Sequence, residues 1–118
     1  MTQLAIRTRT TVAGPVVELV GELDYVTCAR FRGALPALSL EPGQQLVVDL
    51  GGIALCDSSG ISALIAARNH TRAADATIAL TAVPAALTRT LSLVGLSQIF
   101  PTYPTPQAAE AAWTASSV

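Results

Sequence analysis

Apolar and polar positions change period several times along this chain, and each change marks an element. Leu4-Ala5-Ile6-Arg7-Thr8-Arg9-Thr10-Thr11-Val12 partly alternates and is rich in β-branched residues, which predicts a strand. Ala13-Gly14-Pro15 has turn chemistry, and Val16-Val17-Glu18-Leu19-Val20 predicts a second strand, closed by Gly21-Glu22-Leu23-Asp24. So short a connection makes the two strands an antiparallel hairpin. Cys28, Phe31, Leu35 and Leu38 then recur at helical steps, with Asp24 placed as the cap and Pro36 kinking or ending the helix.

Beyond the loop Glu41-Pro42-Gly43-Gln44, the nearly continuous apolar run Leu46-Val47-Val48-Asp49-Leu50 predicts a central strand covered on at least one face. Gly51-Gly52 and Ile53-Ala54-Leu55-Cys56 lead into Asp57-Ser58-Ser59-Gly60, where a helix from about Ser59 to Ala73 presents Ile61, Leu64 and Ile65 as one stripe. Thr77-Ile78-Ala79-Leu80-Thr81 fits another strand. Pro84 opens a helix carrying Leu87, Leu91 and Val94 that stops near Gly95; Phe100 ends a last short strand; Pro106 opens an alanine-rich helix through Trp113. The order is β-β-α-β-α-β-α-(β)-α. Helical crossovers make parallel pairs and the hairpin adds an antiparallel one. The expectation is an α/β domain over residues 1–118, with a mixed sheet of four to five strands and about four helices, and without internal repeat or linker.

Composition narrows the function. Hydrophobic residues form 51% of the 118, but much of that is alanine, and no run approaches the roughly eighteen apolar residues of a spanning helix. Met1-Thr2-Gln3-Leu4-Ala5-Ile6-Arg7 lacks the order of a signal peptide, so a soluble cytoplasmic protein without membrane insertion is expected. The net charge is −1, and the basic residues are all arginines scattered from Arg7 to Arg89, so no stripe for direct nucleic-acid binding forms. Cys28 and Cys56 lie far apart and there is one histidine, His70, too few ligands for a metal site. Two reduced, buried cysteines acting as small hydrophobes are expected. No cofactor is called for.

Asp57-Ser58-Ser59-Gly60 sits between the apolar strand and a helix, the junction at which open α/β sheets meet ligands and partners. Backbone N–H groups in the helix's first turn are unpaired and carry the positive end of its dipole, so a phosphate on a serine there suits the fold. The plainer reading takes Asp57 or Ser58 as an N-cap and Gly60 as a close-packing residue.

Gly21-Glu22-Leu23-Asp24, Leu46-Val47-Val48-Asp49-Leu50 and Cys56-Asp57-Ser58-Ser59-Gly60-Ile61, in this order, resemble the signatures of STAS domains, and among them bacterial anti-sigma factor antagonists. Thr90-Leu91-Ser92-Leu93-Val94-Gly95-Leu96 through Phe100 resembles the family's helix and closing strand, so the likeness runs from about Leu4 to Ala112. Cys56, and Ile61 in place of a leucine often found there, are mild departures. The resemblance implies partner switching. The unmodified antagonist binds an anti-sigma factor that is itself a serine-protein kinase, and the sigma factor is released. The kinase phosphorylates the first serine of the motif, here Ser58, and a metal-dependent PP2C-type phosphatase resets it. Asp24, Asp57, Ser58, Ser59 and Gly60 then form the partner-binding surface, with Asp57 orienting the Ser58 hydroxyl. Asp24 reads equally as a flank of that surface or a plain helix cap. A monomer is the default.

Three other functions compete with this one. A hydrolytic serine needs Gly-x-Ser-x-Gly, and Cys56 stands where the first glycine belongs. His70 would lie about 15 Å or more along the same helix, out of reach of the serines, so no catalytic residue is assigned. A nucleotide site lacks a glycine-rich phosphate loop. STAS-like domains also serve as unphosphorylated docking subunits of lipid-transport ABC complexes and as scaffolds in stress-sensing assemblies, which the serine pair argues against without excluding.

Overall fold

A computed structural model describes residues 3–116; Met1, Thr2, Ser117 and Val118, and with them part of the stretch read above for a leader, lie outside the described residues. The strands are β1 (Leu4–Thr10), β2 (Pro15–Leu23), β3 (Gln45–Cys56), β4 (Thr77–Thr81) and β5 (Thr102–Tyr103). The helices are α1 (Cys28–Ala34), α2 (Ser58–Ala73), α3 (Ala85–Leu93) and α4 (Pro106–Ser116). The strands form one five-stranded sheet in the order β1-β2-β3-β4-β5. β1 and β2 are the antiparallel hairpin, and the pairs β2–β3, β3–β4 and β4–β5 are parallel, as crossover helices require.

Strand alternation sorts the core onto two faces. Leu19, Leu23, Leu46, Val48, Leu50 and Leu80 point to one side, where they meet Phe31 of α1, Leu64 of α2 and Leu91 of α3. Val16, Val47 and Ala79 point to the other side and pack against Ala109 of α4. Leu46-Val47-Val48 reads as continuously apolar because β3 is covered on both faces.

Several boundaries differ from the expectation. β1 ends at Thr10, and Val12, expected in the strand, is 82% exposed in the hairpin turn, where Thr11 and Gly14 exchange backbone hydrogen bonds. α1 starts at Cys28, not after Asp24, and a short 3-10 turn (Leu35–Ala37) with Pro36 near its start replaces its last turn. β3 does not stop at Leu50. It runs six residues further because β2 keeps pairing with it as far as Leu23 opposite Cys56, so a ladder partner and not apolar content holds Gly51-Gly52 extended. Phe100 does not end the last strand: it is buried in the core, and β5 begins after Pro101. α3 ends as expected near Gly95, which takes φ +77° while the Leu96 N–H donates back to the Leu91 carbonyl.

Candidate functional site

The strand extension carries β3 past β4 and delivers the chain to α2 at Asp57. Asp57 is the N-cap: its Oδ1 accepts the Gly60 N–H at 3.0 Å, and its carbonyl accepts the Ile61 N–H at 3.0 Å. Its second carboxylate oxygen accepts the Tyr25 N–H at 3.2 Å, tying the start of α2 to the turn between β2 and α1. Capping and assembly of the surface are thus done by one side chain.

Gly60 is buried because α2 starts directly against β2. A Cβ there would lie 2.2 Å from the Leu23 carbonyl oxygen and 2.7 Å from the Cys56 Sγ. The same carbonyl accepts the Asp57 N–H at 3.3 Å, so only a glycine lets the helix start this close.

Ser58, the first residue of α2, is exposed, and Ser59 is half-buried. Among the described residues no acceptor takes the Ser58 or Ser59 N–H, which leaves two donors at the positive end of the helix dipole. Beside them Tyr25 is 81% and Val26 67% exposed. Two adjacent large side chains are thus presented to solvent next to the start of α2. The sequence reading missed both; the signal was two large side chains between the acid Asp24 and the helix, where turn residues are usually small and polar.

Asp24 lies beneath this turn, 5% exposed. Its Oδ1 accepts the N–H groups of Val26 at 2.9 Å and Thr27 at 3.1 Å. Thr27 Oγ1 donates its one proton to the Glu22 carbonyl at 2.7 Å and accepts the Asp24 N–H at 3.0 Å. Asp24 therefore shapes the turn that presents Tyr25 and Val26 and precedes the helix without being its N-cap.

Cys28 and Cys56 are free and half-buried, less hidden than expected. Burial, and secondarily the negative charge of Asp57, push the Cys56 thiol up to about 11. His70 lies in the last turn of α2, at the far end from Ser58. A groove beside Cys56, between Ile53–Cys56 and Pro84, Ala86, Leu87 and Thr90, holds about 120 Å³, well under the usual size of a small-ligand pocket. No helix of the described residues is long and apolar enough to cross a membrane.

The family model described as "Mlab, STAS domain" matches residues 6–101. No curated protein matches the chain. Among solved structures, an anti-sigma factor antagonist from Mycobacterium paratuberculosis is 27% identical, with a TM-score of 0.81 over 95% of each chain. An anti-sigma-factor antagonist (STAS) domain protein from Planctomyces limnophilus is 20% identical at TM-score 0.77, over 92% of this chain and 97% of that one. A sulfate transporter family protein from Wolinella succinogenes, 15% identical, reaches TM-score 0.77 over 91% of this chain and 89% of that one. The last two share the fold.

Proposed function

Because the chain belongs to the STAS-domain family, we propose that it is a cytoplasmic anti-sigma factor antagonist switched off by phosphorylation of Ser58. Unphosphorylated, it binds an anti-sigma factor that is a serine-protein kinase, and the sigma factor is released. In the modifying step the Ser58 hydroxyl oxygen bonds to the γ-phosphorus of the kinase's ATP, ADP departs and the hydroxyl proton is lost. A PP2C-type phosphatase hydrolyses the ester. The chain itself catalyses neither step, and its job is to bind other proteins.

One observation carries this reading. An exposed serine begins α2, and the N-cap that precedes it also holds the exposed pair Tyr25 and Val26 in place. The anti-sigma factor antagonist of Mycobacterium paratuberculosis, matched over nearly its whole length, supports the same class of partner. A phosphate adds about −1.5 to −2 charge at that point, beside the Asp57 carboxylate. At the helix N-terminus the fold tolerates it. Under a covering partner the same charge costs several kcal/mol in repulsion and lost hydration. Each ~1.4 kcal/mol is a factor of ten in affinity, so release needs no refolding. Asp57, Ser58 and Ser59 form the contacted rim, with Gly60 and Asp24 beneath them setting its shape.

The test is a pull-down from lysate of the source organism with wild type and Ser58→Asp as parallel baits. Capture of an ATP-binding kinase-type protein by wild type and its loss with Ser58→Asp is the expected result. Retention of the same protein by both baits would sink the switch. A second reading, an unphosphorylated docking subunit of a transporter, is favoured by the transporter-family protein among the fold's relatives. Capture of a transporter ATPase subunit by both baits would establish it in place of the first.

A further inference from the structure

Where the sheet ends at β1, its backbone is open to solvent. Thr11 and Gly14 exchange backbone hydrogen bonds at one end of the hairpin, and the Glu22 N–H donates to the Gln3 carbonyl at the other. In an antiparallel ladder such pairs recur at every second residue, so Ala5, Arg7 and Arg9 bond inward to Val20, Glu18 and Val16. The N–H and carbonyl groups of Leu4, Ile6, Thr8 and Thr10 therefore point away from β2. The Leu4 carbonyl takes the Arg30 guanidinium. Those of Ile6, Thr8 and Thr10 have no partner among the described residues, and the strand from Arg7 to Thr10 is exposed throughout. At the far edge, by contrast, β5 is two residues long, and Ile78 and Ala79 of β4 are buried.

Alternation along this strand gathers its charge on one face. Arg7 and Arg9 stand on the α4 side, because they pair with Glu18 and Val16, and Val16 packs against Ala109. Ile6 stands on the other side, against the main core. Arg7 meets Glu18 at 3.7 Å but stays 77% exposed, and Arg9 forms no ion pair among the described residues. Both line a groove of about 420 Å³ over Val16. The acids Glu18 and Asp49 also line it, one and two strands further in, about 10 and 14 Å from where an added strand would run. Those distances exceed the ~8 Å screening length at physiological salt, whereas a side chain directly opposite Arg9 lies about 5 Å away.

We propose that the outer edge of β1 is a second docking site, which takes an extended acidic segment of a partner protein by strand addition. The segment's main chain bonds to Ile6, Thr8 and Thr10. Its carboxylates, at alternate positions, stand on the α4 side opposite Arg7 and Arg9, and apolar residues between them extend the patch begun by Ile6. Strand addition draws affinity from the main chain and specificity from such alternate side chains. A second copy of this chain is the wrong occupant. The antiparallel register that uses all three residues sets Thr8 against Thr8, and hence Arg7 of each copy directly against Arg9 of the other. Sliding the copies to set Ile6 against Ile6 would part the arginines, but it needs the Leu4 carbonyl that Arg30 occupies. The arginines thus turn copies of the chain away and leave the edge open to acid. The site is separate from Ser58: Thr8 pairs with Val17, six residues before Leu23 at the Ser58 end of β2, about 20 Å at 3.3 Å per residue. Both surfaces can therefore be occupied together, and the inference stands or falls without the phosphorylation reading.

The experiment is an NMR titration of the isotopically labelled full chain with a blocked hexapeptide of alternating valine and glutamate. The expected result is saturable shifts centred on Ile6–Thr10. Exchange should slow at the Ile6, Thr8 and Thr10 amides and stay unchanged at Arg7 and Arg9, which already bond to β2. The peptide with lysine for glutamate should fail to bind, and in R7Q/R9Q the preference for glutamate should vanish. Thr8→Pro removes an outward N–H and no ladder bond, so it should keep the wild-type circular dichroism. It should weaken the peptide on the order of tenfold or more, the cost of one lost hydrogen bond plus a clash. Backbone N-methylation of the peptide should do the same without touching the fold, and Ser58→Asp should bind as wild type does. Absence of saturation up to about 1 mM, the scale of a weak short-peptide contact, would overturn the proposal. So would equal binding of the lysine or N-methylated peptide, shifts centred on Tyr25–Ser58, or a peptide-free chain that is already a dimer with the same three amides protected.

Discussion

Replacing Gly60 by alanine sets two effects of opposite sign against each other. Inside a helix alanine is favoured over glycine by about 1 kcal/mol, so propensity alone makes the variant more stable. Against this, the new Cβ would sit 2.2 Å from the Leu23 carbonyl oxygen, a backbone atom that no rotamer change can move. Relief requires α2 to retreat by about 1 Å, to normal contact distance. That movement stretches the Asp57 N–H bond to the same carbonyl, already 3.3 Å long, past useful range. Overpacking costs about 1–3 kcal/mol and a lost hydrogen bond about 0.5–1.5. After the propensity gain the net loss is about 1–3 kcal/mol, or on the order of 1 M in the urea midpoint for a small domain. Gly33 of α1 is the matched control, because a Cβ there meets nothing within 4 Å. Gly33→Ala should therefore stabilise, by up to about 1 kcal/mol. Urea titrations followed by far-UV circular dichroism on both variants decide the matter. A Gly60→Ala protein as stable as Gly33→Ala would refute the claim that α2 begins in steric contact with β2.

Other outcomes follow from the same geometry. Asp57→Ala should cost about 1–2 kcal/mol from the lost cap and quicken hydrogen exchange at Tyr25, whereas Asp57→Asn, which keeps an acceptor for Gly60, should lose less. Equal exchange at Tyr25 in wild type and Asp57→Ala would disconnect the cap from the turn. Cys56 keeps its proton more tightly folded than unfolded, so its contribution to stability is complete below about pH 9 and fades as pH rises towards about 11. Alkaline unfolding of Cys56→Ala should lack that part of the slope; identical pH profiles for the two proteins would contradict it. Ser58→Asp should unfold within about 0.5 kcal/mol of wild type, since an exposed acid at the first turn suits the dipole. A larger loss would mean that Ser58 is structural.

The fold was legible where chemistry is local. The Leu46–Leu50 run, the helical spacing of Ile61 and Leu64, and the glycine stop at Gly95 each depend on near neighbours, and each element formed where expected. What the sequence hid depends on distant partners. The strand from Gly51 to Cys56 exists because β2 lies alongside it, and a glycine pair gives no sign of that. Asp57 reads as a cap from its local context, but its bond to Tyr25 spans 32 residues and appears only once β2 and β3 are side by side. Asp24 was ambiguous because a carboxylate a few residues before a helix serves either a turn or a cap. Burial beneath Tyr25 and Val26 assigns it to the turn. Pro101 likewise marks the end of the β4–β5 ladder only once the register of β5 against β4 sets it opposite Ala79.

The most direct test of the proposed switch is to incubate the purified chain with its captured kinase-type partner and ATP, map the modified residue by mass spectrometry, and measure the affinity of the modified chain. The account predicts one phosphate, on Ser58, and binding weakened by orders of magnitude while circular dichroism stays unchanged. A phosphate on Ser59 or elsewhere, no phosphate at all, or a Ser58-phosphorylated chain that binds as tightly as before would contradict it.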